Sequence, residues 1–150
     1  MTMNKLIMVL IIFSFLPGCE KNQDRLNSYP PTKSEDFDNL VLGDTSSISW
    51  HNCLKGPENK MYICLESVLN DSRCPRGAYC IWEGNASVKF RLGKENDKPL
   101  FFDLNTHRGF TSDTIISGYK FSLVGLDPYP ALNHPTDKKD YKAQLVIEKV

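Results

Sequence analysis

The sequence predicts an all-β domain, an antiparallel β-sandwich or partly open barrel of about seven strands that is stapled by disulfides. Apolar and polar residues alternate over four segments, which is the pattern of strands with one buried face. Turn-forming residues (Gly, Pro, Asn and Asp) separate these segments, and no stretch after residue 18 shows a sustained helical period. Short strands at this spacing are typical of sandwiches and barrels.

Each predicted strand places its apolar residues on one side. The alternation is clearest at residues 86–92, 100–104, 119–124 and 142–148. Apolar residues at alternate positions also indicate two earlier strands, within 48–50 and 63–69. The turns between strands contain Gly56-Pro57, Pro75-Arg76-Gly77, residues 93–97 and Pro128-Tyr129-Pro130.

A leader and a tether precede the predicted domain. Lys5 followed by the apolar run 6–16 is typical of a signal peptide, since eleven helical residues rise only roughly 16 Å and cannot span a bilayer. The segment that follows is polar, of mixed charge and too poor in apolar residues to bury a core. We therefore assign residues 1–18 to a signal peptide, 19–34 to a flexible tether and 35–150 to a single β-sandwich domain.

The segment Leu16-Pro17-Gly18-Cys19 resembles the lipobox of bacterial lipoproteins. The resemblance implies transfer of a diacylglyceryl group to the Cys19 thiol, cleavage before Cys19, and acylation of the new amino group, for example with palmitate. Several acyl chains hold a protein on a membrane, whereas one chain binds only reversibly. The resemblance therefore implies that 1–18 is a lipoprotein signal peptide and that 19–34 is a lipid tether. It also implies that the protein is lipid-anchored in the bacterial cell envelope on its extracytoplasmic side, periplasmic or cell-surface. The alternative is an uncleaved N-terminal anchor with an incidental cysteine.

The charge of the chain is balanced. Lys and Arg total 18, Asp and Glu total 18, and no basic run occurs. A near-neutral chain offers no electrostatic basis for binding nucleic acid, so no nucleic-acid partner is predicted.

Four cysteines follow Cys19: Cys53, Cys64, Cys74 and Cys80. An even number in an exported domain indicates two disulfides, and their order favours Cys53–Cys64 with Cys74–Cys80. Cys53 and Cys64 are each out of phase with the apolar residues beside them. Both thiols are thus predicted on the outer side of two successive strands, where a hairpin brings them within bridging distance. The alternative, a Cys₄ zinc site, is disfavoured because the spacing lacks close Cys-x₂-Cys pairs.

The most distinctive passage is residues 70–86, which contains Asp71-Ser72-Arg73-Cys74-Pro75 and then Cys80-Ile81-Trp82-Glu83-Gly84. Here the chain resembles a family of uncharacterised bacterial exported lipoproteins. The hallmark of that family is Asp-Ser-Arg-Cys-Pro, a few residues, then Cys-x-Trp-x-Gly leading into a strand. The resemblance implies an exported lipoprotein and carries no activity with it.

In physical terms the passage predicts a disulfide-closed corner between two strands, with turn-forming residues inside the ring 74–80. The planar guanidinium of Arg73 is suited to backbone carbonyls or to Asp71 across the turn. Trp82 is expected to pack as a buried apolar plug against the sheet. The alternative is a binding loop that presents Arg73, Arg76 and Tyr79 to a partner or an anionic ligand.

No local signature of catalysis is present. The three histidines are scattered, no nucleophile elbow occurs, and the glycines lie in turns rather than in a phosphate-binding loop. We therefore predict no enzymatic activity, no cofactor and no metal site.

The predicted function is a membrane-anchored envelope lipoprotein that serves as a non-enzymatic binding or scaffold module. The alternative is a protease-inhibitor-like or small-ligand-binding β-sandwich that presents loops at one end.

Overall fold

The computed structural model describes residues 38–56, 61–94 and 97–150. The predicted signal peptide, Cys19, the tether and the domain boundary at residue 35 lie outside these described residues. Within the described ranges, no helix has the length and apolar character that crossing a membrane requires.

Nine strands form in the described part of the chain. They are β1 (Asp38–Asn39), β2 (Thr45–Ser49), β3 (Cys53–Lys55), β4 (Met61–Asp71), β5 (Ala86–Lys94), β6 (Leu100–Asn105), β7 (Asp113–Ile116), β8 (Tyr119–Asp127) and β9 (Lys142–Lys149). A 3₁₀ turn at Lys138–Asp140 precedes β9.

The strands make a five-stranded sheet in the order β1-β3-β4-β5-β6 and a four-stranded sheet in the order β2-β9-β8-β7. Every pairing is antiparallel except the short parallel pairing of β1 with β3. The predicted all-β, antiparallel sandwich is confirmed, with nine strands in place of about seven. The two-residue β1 is too short to show a period, and β7 carries two adjacent isoleucines, so neither produces a clear alternation.

The core lies between the two sheets. Its fully buried side chains come from inward positions of both sheets and include Ile63, Leu65, Val88, Phe90, Leu104, Phe121, Leu145 and Ile147. The rings of Phe90, Phe102 and Phe121 bridge the sheets, with centroid distances of 5.7 and 5.5 Å. Each fully buried large apolar side chain contributes about 1.5–3 kcal/mol, so this layer is the main source of stability.

The chain changes sheets between β2 and β3, where the sequence pattern suggested a single strand carrying Ile48, Trp50 and Cys53. His51 adopts a φ of 59°, and the turn at residues 50–52 passes the chain to the other sheet. Cys53 nevertheless faces Cys64, because the two are direct partners in the β3–β4 register, and they form a disulfide with Cα atoms 4.0 Å apart. The pairing was predicted, but the strand argument for it was wrong in this respect.

Cys64 is only 2 % exposed, although it lies on the face of β4 that is opposite to the core residues Ile63 and Leu65. Arg91 is its direct neighbour in β5, and Nη2 of Arg91 lies 3.4 Å from the Cys64 Sγ atom. The outer side of the sheet is therefore covered at this point by a long basic side chain, which snorkels over the disulfide.

Four connections meet at one end of the sandwich, which we term the loop end: the β2–β3 turn (50–52), the β4–β5 loop (72–85), the β6–β7 loop (106–112) and the β8–β9 loop (128–141). The pairs Asp71↔Ala86 and Asp127↔Lys142 close two of these hairpins. The Trp50 N–H donates to the Tyr141 carbonyl at 2.9 Å. Loops from both sheets therefore form one continuous surface.

Candidate functional site

The β4–β5 loop begins and ends as a continuation of the strand ladder. The Ser72 N–H donates to the Asn85 carbonyl and the Cys74 N–H donates to the Glu83 carbonyl, each at 2.8 Å. Between these two bonds, Gly84 has a φ of +81° and its α-carbon lies against the opposite strand. A Cβ at this position would lie 2.0 Å from the Ser72 carbonyl oxygen, so only glycine fits.

The disulfide Cys74–Cys80 closes the tip of this loop, with Cα atoms 6.0 Å apart. Inside the ring, the Ala78 N–H donates to the Pro75 carbonyl at 3.0 Å, and Gly77 supplies a φ of +89° for the bend. The ring has the pairing and the turn that the sequence predicted.

The tip is also attached to the neighbouring β8–β9 loop. The Arg76 N–H donates to the Pro130 carbonyl at 2.9 Å, and the Leu132 N–H donates to the Arg76 carbonyl at 3.1 Å. The loop is therefore held in place by the disulfide, by the strand ladder and by this short parallel pairing.

Arg73 is not presented to solvent, which corrects its place in the candidate binding loop. It is 7 % exposed, and its Nε and Nη2 atoms donate to the two carboxylate oxygens of Asp71 at 2.8 and 2.6 Å. The Nη1 atom donates to the Leu126 carbonyl, and Nη2 also reaches the Pro128 carbonyl at 3.0 Å. The guanidinium therefore joins the end of β4 to the end of β8 in the other sheet, as its planar shape allows.

The hydroxyl of Tyr141 completes this network by donating to Asp71 Oδ2 at 3.0 Å. Burial acts to raise the pKa of the Asp71 carboxyl, but the hydrogen bonds and charge of Arg73, with the Tyr141 hydroxyl, outweigh it and hold that pKa below its usual value. Burial and the neighbouring carboxylate raise the pKa of Tyr141. In this network the Asp71 carboxylate is held by the Arg73 guanidinium and by the neutral phenol of Tyr141. Its role is to connect the ends of two strands rather than to transfer protons.

The outer surface of the loop end carries large apolar side chains. Tyr79 and Ile81 are completely exposed, with relative accessibilities of 107 % and 106 %, on either side of Cys80. Phe110, Tyr129 and Leu132 are also exposed on the neighbouring loops. We call Tyr79, Cys80 and Ile81 the apolar tip.

Trp82 does not form the buried plug that the sequence suggested. Its side chain is 53 % exposed, and its ring lies edge-on to His107, whose ring in turn lies edge-on to Phe110, with centroids 5.8 and 5.7 Å apart. The expectation rested on the size and apolar character of the residue, but Trp82 lies in the exposed part of the β4–β5 loop. The three rings form an aromatic strip that widens the apolar surface beside the tip.

His107 is held at the centre of this strip by polar contacts on both ring nitrogens. Its Nδ1 atom accepts a hydrogen bond from the Gly109 N–H at 2.9 Å, and its Nε2 atom lies 3.1 Å from Glu83 Oε1. The Nδ1 contact requires a lone pair there, so the proton belongs on Nε2, where it donates to the carboxylate. This contact links the β6–β7 loop to the β4–β5 loop.

The peptide groups of residues 79–82 have no hydrogen-bond partner in the described part of the chain. This applies to the backbone N–H and to the C=O groups alike. Peptide groups that are exposed and unpaired on a fixed loop are available to a partner's main chain.

The structure thus divides the three residues of the candidate binding loop. Arg76 and Tyr79 are exposed at the loop end as predicted, whereas Arg73 is a buried structural residue. Sequence reasoning missed Ile81 and Phe110. The sequence feature that could have identified them is that both are large apolar residues inside turn-rich segments. Among the described residues, no group of three or more His, Cys, Asp or Glu side chains is placed to hold a metal ion.

No family model, curated protein or solved structure matches this chain.

Proposed function

We propose that this chain is a lipid-anchored, extracytoplasmic binding module without catalytic activity, and that its loop end contacts a partner protein. The observation that carries the proposal is the concentration of exposed apolar side chains on loops that are fixed by a disulfide and by cross-loop hydrogen bonds. Monomeric soluble proteins rarely leave such patches uncovered unless the patch has a binding role.

The composition of the surface is that of a protein interface. Residues that dominate protein–protein binding energies are enriched in Trp, Tyr and Arg, and the loop end exposes Arg76, Tyr79, Trp82, Arg108 and Tyr129. The guanidinium of Arg76 lies over the ring of Tyr129 at 5.5 Å, so even this charged side chain is held in place.

A partner protein explains the surface better than a lipid bilayer does. Glu83 lies next to Trp82 in the chain, its side chain is 77 % exposed, and it is paired with His107 inside the aromatic strip. Insertion of this strip into hydrocarbon would bury a carboxylate, at a cost of several kcal/mol. A protein partner can instead leave Glu83 at a polar rim or pair it with a cation.

The proposed location rests on two further observations. Two disulfides, one of them at the exposed loop tip, fit an oxidising compartment outside the cytoplasm. The lipobox-like segment ending at Cys19 supplies the anchor.

The anchor is tested by Cys19→Ser, which should abolish lipid labelling and leave unprocessed precursor. The thiol is the acceptor in the proposed modification, so a hydroxyl at this position should not replace it. Metabolic labelling with a palmitate analogue and intact-mass measurement check this, with Asn22→Ser as a matched control that should be labelled and processed normally. Labelling that survives Cys19→Ser would contradict the proposed anchor.

The binding surface is tested by placing a photo-crosslinking amino acid at position 79 of the lipidated protein in the bacterium that makes it. We expect a discrete adduct from position 79 and none from position 101, which is also an exposed aromatic position but lies on the sheet face. Adding Trp82→Ala should reduce the adduct about tenfold or more, as loss of an interface anchor does. Equal yields at positions 79 and 101, or none at position 79, would refute the proposed surface.

A further inference from the structure

The apolar tip is formed before any partner arrives. The ring disulfide, the Cys74–Glu83 backbone bond and the pairing of Arg76 with Pro130 and Leu132 hold it in the free protein. A loop whose backbone is already ordered loses less conformational entropy on binding, which favours insertion into a shaped cleft.

Residues 79–82 offer two features by which a cleft can recognise a loop. Their peptide groups are free to pair with a strand edge, and Tyr79 and Ile81 are free to enter side-chain pockets. Main-chain hydrogen bonds then supply affinity, and pockets for individual side chains supply specificity. This combination is how an endopeptidase cleft holds its substrate.

The position of the peptide bond Tyr79–Cys80 determines whether its hydrolysis would release the loop. It lies inside the ring closed by Cys74–Cys80. Hydrolysis would add one water across this bond and give a Tyr79 carboxylate and a Cys80 amine, but the disulfide would still join the two new chain ends. Downstream residues would also remain held by the hydrogen bonds of Cys74 with Glu83 and of Ser72 with Asn85. The cleft would thus hold a loop whose products cannot diffuse apart.

We infer that the Cys74–Cys80 loop is a substrate-like insert for the active-site cleft of an endopeptidase with a deep apolar primary pocket. Tyr79 occupies that pocket, and the domain acts as an inhibitor of the peptidase. This inference rests on the proposed function and names the partner class of the same surface. The fully exposed Tyr79 is the residue that sets specificity.

The test uses the full lipidated chain in detergent and two proteases of known pocket chemistry. Chymotrypsin has an apolar primary pocket and trypsin an acidic one. We expect the parent to inhibit chymotrypsin, Tyr79→Gly to raise the inhibition constant about 100-fold, and Tyr79→Phe to keep it within about threefold. Tyr79→Arg should transfer inhibition to trypsin, an exchange that a non-specific apolar patch would not produce. Phe101→Ala, a change at an exposed aromatic residue away from the loop end, should leave both constants unchanged.

Absence of inhibition by both the parent and Tyr79→Arg would overturn the inference, as would rapid cleavage of the loop followed by release of active protease. Binding of the chain, with Cys19 replaced by Ser, to phosphatidylcholine vesicles in a manner lost with Tyr79→Gly would overturn it in favour of a membrane. If inhibition fails while the adduct at position 79 persists, only this inference fails. If the adduct is absent too, the proposed function fails with it.

Discussion

Replacing Gly84 by alanine is expected to destabilise the domain by about 3–5 kcal/mol. The left-handed φ of +81° accounts for about 1–2 kcal/mol of this, since an L-residue is strained there. The larger part comes from the methyl group, which would lie 2.0 Å from the Ser72 carbonyl oxygen and 2.7 Å from the Arg73 α-carbon. Both are backbone atoms, so relief requires breaking the ladder that holds the disulfide loop.

Gly118→Ala is the matched control. Gly118 has a φ of +80°, and a Cβ there would meet no atom within 4 Å, so this variant carries the backbone strain alone. We expect it to cost about 1–2 kcal/mol. Urea-unfolding midpoints of the parent and both variants measure the difference. Equal losses for the two glycines would show that the close approach at Gly84 is not a real constraint.

Much of the fold was predictable from the sequence because it depends on a local period. The residues of β5 and β9 alternate between buried and partly exposed along most of their length, as expected from the pattern of apolar residues. The pairing Cys74–Cys80 followed from proximity along the chain. The role of Gly84 did not follow, because the contact with Ser72 depends on the register between β4 and β5.

The candidate site was predictable only in part, and for the same reason. Exposure of Arg76 and Tyr79 followed from their position in a short ring, whose small size leaves its tip in solvent. The burial of Arg73 depends on carbonyls of Leu126 and Pro128, more than fifty residues away. Trp82 was misplaced because a large apolar residue is usually buried, and nothing local shows that it lies in the exposed part of the loop.

The second large effect is expected for Arg73→Met, which should cost about 3–5 kcal/mol at neutral pH. Methionine retains much of the apolar stem but removes every hydrogen bond from the guanidinium. Asp71, whose side chain is 9 % exposed, then keeps its charge with only Tyr141 and a backbone N–H as donors. Two carbonyls at the end of β8 also lose their donor. Lys139→Ala, in an exposed ion pair with Asp137, is the matched control and should leave the unfolding midpoint unchanged.

The pH dependence of this loss distinguishes an ion pair from simple packing. In the parent, the pKa of Asp71 is lower in the folded state than the usual value of 3.8, so its contribution to stability is present at neutral pH. That contribution is lost as the pH falls through 3.8 and then through the folded value, because the unfolded chain binds the proton first.

In Arg73→Met, burial without the cation should raise the pKa of Asp71, so protonation relieves the buried charge. The free-energy gap between parent and variant should therefore narrow as the pH is lowered from about 6 to 3. When both proteins also carry Asp71→Asn, which cannot ionise, the gap between Arg73 and Arg73→Met should no longer change over this pH range. With Asp71 present, a gap that stays constant over this range would show that Arg73 stabilises the loop end by packing alone.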